Sequence, residues 1–242
     1  MREDGLAHRT CNHALRAIKS FSRWLALDKR IAQDPIASLT GFNSETDPKH
    51  QRRELTDDEI TKLVGAAEAN DDCAMGGQDR AMLYRLALGT GFRASELRSL
   101  TPKSFDLTSD PPTVTVTAAC SKRRRLDVQP IRSDLAKLLS DWLSQKPSQN
   151  QVFTAMPQMT GRMIRSDLKR AGIPYADAEG RGADFHALRH TYISRLVRYG
   201  ATVKAAQVLA RHSTPSLTIG RYAHTDLREC KAFLEALPPN PE

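Results

Sequence analysis

Arg93, Glu96, Lys122, His186, Arg189, His212 and Tyr222 are residue types that handle phosphate chemistry, provided the fold brings them together. A planar guanidinium binds two phosphate oxygens at once. Two of them, Arg93 and Arg189, would also stabilise the charge of a five-coordinate phosphorane, where transition-state electrostatics matter most. A tyrosine can attack the phosphorus. Its pKa near 10 leaves only about one phenoxide in a thousand at pH 7, so a neighbouring base or cation is needed. His186 and Lys122 can carry the protons, one beside the attacking phenol and one beside the departing sugar hydroxyl. Glu96 lies three residues after Arg93, a helical spacing that lets it orient the guanidinium. Attack by a phenol conserves the bond energy in a protein–nucleic acid ester. The expectation is therefore no cofactor and no metal.

These residues need a scaffold, and the pattern supplies mostly helices. T-D-D-E at Thr56–Glu59 reads as a capping box. DRAMLYRLALG reads as a buried helix ended by Gly89 and Gly91, and RASELRSL as a short helix stopped at Thr101-Pro102. The β-branched alternation TVTVT, the basic run SKRRR and then LDVQPI predict a hairpin with a basic turn. Helices return at about 133–145, 157–171, 186–199, 201–210, 214–222 and 225–236. The fold class is mainly α (α+β), a helical domain with a small antiparallel sheet, preceded by a separate helical segment. The polar run 40–54 reads as a linker between domains 1–47 and 48–242.

Composition narrows the partner. The chain has 242 residues and a formal net charge of +8, a balance that favours a polyanion and nucleic acid above all. Residues 122–132 hold five Lys/Arg against one acid, Asp127, and residues 159–200 hold eight against four. The four cysteines form no C-x-x-C and read as reduced cytosolic thiols. No apolar run approaches the roughly 20 residues that span a bilayer. His186 and His190 have the spacing of helical zinc ligands, with His212 to complete a set. Ala187, however, stands where a metalloprotease helix carries its glutamate.

GTGFRASELRSL, the lysine of SKRRRLDVQP, HALRHTY and LARHSTPSLTIGRYAH, in that order from about residue 52 to 236, resemble the tyrosine recombinase (phage integrase) family. The resemblance implies that Arg93 and Arg189 clamp the scissile phosphate of double-stranded DNA and that Glu96 orients Arg93. It makes Lys122 the general acid for the leaving 5′ hydroxyl and His186 a general acid/base. His212 becomes a phosphate ligand, and Tyr222 the nucleophile of a 3′-phosphotyrosine. It further implies a homotetramer on DNA, held through the C-terminal helix DLRECKAFLEAL, and a cytoplasmic, nucleoid-associated protein. Two departures stand out. Arg211 precedes His212 where the family often has glycine, and residues 8–39 match only the last helices of the usual core-binding domain. The second departure implies a fragment or a shortened member. It keeps two alternatives open: a DNA-binding remnant without autonomous recombination, and a type IB topoisomerase-like nicking and resealing enzyme.

The first helix makes a case of its own. Arg9, Arg16, Arg23 and Arg30 recur every seven residues and form one stripe, opposite an apolar set of Cys11, Leu15, Ile18, Phe21 and Leu25. One face is expected to pack and the other to meet the DNA backbone, joined there by Arg123, Arg124 and Arg125 of the basic turn.

Overall fold

The computed structural model describes residues 5–71, 73–121, 124–147 and 150–212. They divide into two compact units, Met1–Gln51 and Arg52–Glu242. Lys122, Arg123, Tyr222 and the two helices expected after residue 213 lie outside the described residues.

The first unit is built on α1, His8–Leu27. The expected helix ran to Arg30, but Lys29 takes a left-handed backbone (φ 57°), and the Arg30 N–H bonds back to Leu25 O at 2.9 Å. Arg30 therefore leaves the stripe. It pairs with Asp28 at 2.6 Å and lies over the Trp24 ring. The apolar face is also corrected: Cys11 is buried, but Ile18 and Phe21 are 57% and 60% exposed. The chain after α1 folds back onto a neighbouring polar face instead. Lys19 Nζ bonds to Ala37 O and Leu39 O, Ser22 Oγ to Asp34, and Asn12 to both backbone groups of Phe42. The first part of the expected linker is likewise anchored to α1, through Phe42, Asn43 and Asp47.

The second unit is centred on α3, Gly77–Thr90, which is buried on nearly every side. It packs against α2 (Asp57–Glu68), α5 (Ser133–Leu143) and α7 (Phe185–Arg198), while α6 (Gly161–Arg170) packs on α2. Thr56 and Glu59 form the expected capping box, an arrangement that typically stabilises a helix by about 1 kcal/mol. A fully buried ion pair locks the centre. Arg80 Nε bonds to Asp167 Oδ2 at 3.1 Å, and its terminal nitrogens reach the carbonyls of Ala67, Asn70 and Met75. The Tyr84 hydroxyl donates to the same carboxylate at 2.6 Å. The helix α3 runs through Gly89 and ends at Gly91, whose φ is +63°. A β-carbon at Gly91 would stand 2.5 Å from the Tyr192 ring, so both backbone and space require glycine there.

The short helix α4, Ala94–Arg98, follows. Three antiparallel strands come next, β1 (Phe105–Asp106), β2 (Thr113–Val116) and β3 (Asp127–Pro130), in that order in the sheet. The hairpin β2–β3 is the expected one, with Val116 opposite Asp127 and Val114 opposite Gln129. β2 buries Val114 and Val116, whereas β3 turns Asp127 and Gln129 inward and leaves Val128 exposed. An inverted strand of this kind needs partners for its polar side chains. The last described helix, α8 (Val203–Leu209), is started by a Thr202 cap and rests on α7. Among the described residues, no helix is long and apolar enough to cross a membrane.

Candidate functional site

The turn Gly91–Phe92–Arg93, between α3 and α4, is the hub. Arg93 is the residue before α4, and its N–H donates to Glu96 Oε2 at 2.8 Å while its guanidinium reaches Glu96 Oε1 at 3.0 Å. The Glu96 side chain is 1% exposed and that of Arg93 is 27% exposed. One carboxylate thus fixes both ends of an arginine whose outer edge meets solvent. Burial opposes the Glu96 charge, but Arg211 and the Arg93 backbone and side chain hold its carboxyl below the usual range.

The helix α7 brings the second group. Asp184 caps its start, accepting from the Ala187 N–H, and Arg52 grips Asp184 from outside, with Nε at 2.7 Å. His186, in the first turn, lines an open cavity of about 210 Å³ with Phe92, Ala94, Thr160, Gly161, Asp184 and Phe185. His186 therefore shares its cavity with both chain neighbours of Arg93. The residue is exposed. Desolvation, with Arg52, Arg189 and Arg93 outweighing Asp184, pushes its pKa down to about 4. Burial and the excess of three cations over one carboxylate act in the same direction. The imidazole is neutral at pH 7. One turn on, the buried Arg189 donates through its two terminal nitrogens to Gly91 O and Ala210 O. It clamps the end of α3 to the end of α8.

The inward face of β3 completes the arrangement. Gln129 Nε2 donates to the Tyr192 hydroxyl at 3.0 Å and to Leu209 O at 3.1 Å. Asp127 accepts from Ser121 Oγ at 2.6 Å and pairs with Arg211 at 3.4 Å. Arg211 also bonds to Glu96 Oε2 at 2.5 Å, and its guanidinium sits 4.4 Å from the Phe92 ring centre. His212 follows directly, its N–H bonded to Gln207 O at 3.0 Å.

Of the residues singled out from sequence, Arg93, Glu96, His186 and Arg189 meet around this turn, and His212 is the residue after Arg211, which bonds to Glu96. Arg124 and Arg125 are exposed at the hairpin end, Arg125 lying 3.5 Å from Asp127. Arg9, Arg16 and Arg23 are exposed on α1. Among the described residues, no three His, Cys, Asp or Glu side chains cluster as a metal site would require. Sequence reasoning missed the roles of Asp127, Gln129 and Arg52. The signal for Asp127 was its standing as the single acid in the basic stretch 122–132.

Residues 53–229 match the family model described as phage integrase family. Tyrosine recombinase XerC of Azotobacter vinelandii is 29% identical over 244 residues, covering 97% of this chain and 76% of the relative. XerC of Xanthomonas campestris pv. campestris strain B100 is 28% identical, covering 97% and 70%. Among solved structures, the Tn1549 transposon integrase in complex with a circular intermediate DNA matches at a TM-score of 0.72 and 20% identity, covering 98% of this chain and 82% of that one. The XerH recombinase bound to palindromic difH substrate matches at 0.70 and 17% identity, covering 96% and 68%.

Proposed function

The chain belongs to the phage integrase family, and from that premise we propose that it is a site-specific DNA recombinase working through a covalent 3′-phosphotyrosine. The observation that carries this reading is the gathering of Arg93, held by Glu96, with His186 and Arg189 about the Gly91–Arg93 turn. Double-stranded DNA is the partner, and a tetramer assembled through the C-terminal helix would be the exchanging species.

In this reading the phenolic oxygen of Tyr222 attacks the phosphorus as neutral His186 takes its proton. The bond from phosphorus to the 5′ oxygen breaks, and Lys122 protonates the leaving hydroxyl. Arg93 and Arg189 carry the charge of the phosphorane, with His212 as a further donor. Rejoining runs the same steps in reverse with a 5′ hydroxyl from the partner duplex. Tyr84 and Tyr192 are poor rivals for the nucleophile. Both are buried, and burial pushes the Tyr192 hydroxyl up to about 12. The Tyr84 hydroxyl is pushed up as well, by burial and by Asp167.

The test uses a pool of nicked duplexes of random sequence, whose cleaved strand cannot be resealed. The full chain should yield a denaturation-resistant DNA adduct that identifies its site, and Tyr222→Phe should abolish it. EDTA should leave the adduct intact. An adduct surviving in the Phe variant, or one requiring added Mg²⁺, would overturn this mechanism.

A further inference from the structure

Arg211 takes a left-handed backbone, φ 53°, where the β-carbon of any residue but glycine is crowded. Such a conformation is kept when the surrounding structure over-determines it. Here it aims a long cationic side chain inward. The side chain is 5% exposed and meets two carboxylates that are themselves buried, Glu96 at 1% and Asp127 at 7%. The contacts are 2.5 Å to Glu96 Oε2 and 3.4 Å to Asp127 Oδ2, with the guanidinium 4.4 Å from the Phe92 ring centre. The planar fork spans both acids, which a point charge could not do.

Each partner leads to a different residue of the proposed chemistry. Glu96 uses its other oxygen for the Arg93 guanidinium. Asp127 accepts from Ser121, the residue before Lys122 in the chain. The backbone of Ala210, on the other side of Arg211, accepts from Arg189, and His212 comes next. A glycine at this position would satisfy the backbone and leave two buried carboxylates without their shared cation.

We propose that Arg211 is a positioning residue, a buried cross-brace that sets Arg93 through Glu96 and ties the base of the hairpin to the chain that leaves α8 and carries His212. Its consequence for cleavage rests on the recombinase reading above. Its consequence for Arg93 does not. Arg211→Gly removes the brace and relieves the backbone. Arg211→Lys keeps a charge that reaches one carboxylate at a time.

The experiment has two arms. In the first, the guanidinium signals of Arg93 are followed by NMR in arginine-labelled full chain without DNA. Both variants should shift and broaden the Arg93 signals, Gly more than Lys, while the Arg80 signals stay in place. Arg93 signals unchanged in Gly, or unchanged in Lys should Gly fail to fold, would overturn the proposal. In the second arm, the single-turnover rate of adduct formation on the selected duplex should fall by about a hundredfold in Gly, the cost of a small misplacement of a catalytic group. Lys should recover part of the rate, and DNA affinity should hold. A shifted Arg93 with an undiminished rate would overturn the link to cleavage. Absence of any wild-type adduct would count against the recombinase reading alone, because the first arm still decides the brace.

Discussion

At the scale of single residues, the protonation state of His186 decides which half of the acid–base chemistry it can start. Desolvation and the surrounding arginines hold its pKa at about 4, so it meets a phosphate as a neutral base. Arg52 is the largest of the charge effects, and it acts twice, repelling a proton directly and neutralising Asp184. Arg52→Gln should therefore raise the His186 midpoint in an NMR titration, and a midpoint that stays or falls would refute this assignment. The linkage has a definite sign. The folded pKa lies below the unfolded 6.5, so between about 4 and 6.5 the unfolded chain binds more protons. This residue's contribution should favour folding at neutral pH and be lost as pH falls through that window. His186→Gln should flatten that part of the stability–pH curve. Arg189 makes a different demand. Arg189→Lys keeps the charge and loses the fork that holds both Gly91 O and Ala210 O, so adduct formation should fall by roughly a hundredfold, with DNA affinity only modestly weaker.

At the scale of elements, legibility followed periodicity and failed where tertiary partners override it. The capping box at Thr56, the end of α3 at Gly91 and the β2–β3 pairing were readable because each has a local cause in the chain, whereas α4 stops at Arg98, ahead of the expected Thr101-Pro102. β1 was not, since two residues carry no period and Phe105–Asp106 forms a strand only by pairing with β2. The inverted face of β3 was hidden for a related reason: Asp127 and Gln129 turn inward for Arg211, Tyr192 and Leu209, partners far away in sequence. On α1 the apolar spacing suggested a packed face, yet the returning chain binds the polar side through Asn12, Lys19 and Ser22. The contact of Glu96 with Arg93 was legible from its helical spacing, whereas the links made by Arg52, Asp127 and Gln129 were legible only in the fold. The centre of that fold offers a stability test. Asp167→Ala would leave Arg80, 0% exposed, without its carboxylate and Tyr84 without an acceptor. Removing one member of a buried pair costs about 3–5 kcal/mol. Chemical denaturation should register a loss of that order, whereas the same change at Asp134, paired with Arg132 at the surface, should cost less than about 1 kcal/mol.

At the scale of the whole molecule, the net charge of +8 says that a polyanion is welcome, and its arrangement says where. Up to Gln51 the sequence holds eight basic against six acidic residues, so the first unit is nearly balanced overall. Its basic character comes instead from geometry. Arg9, Arg16 and Arg23 lie on one exposed line of α1, spaced by about 10 Å from the helical rise. Arg30, turned toward Asp28 and Trp24, no longer belongs to it. Three guanidinium groups in a row can track a phosphate backbone, and each phosphate neutralised contributes about 0.9 to the slope of log affinity against log salt. Arg16→Gln with Arg23→Gln should therefore flatten that slope by up to about 1.8 units on a nonspecific duplex. Adding Arg30→Gln should change the slope little further, because that side chain is already committed to an acid. Thermal stability should hold in both variants, since the side chains replaced at 16 and 23 are solvent-exposed. A slope that moves only when Arg30 is replaced would place the DNA on the far end of α1, and one that ignores all three would leave the stripe facing water alone.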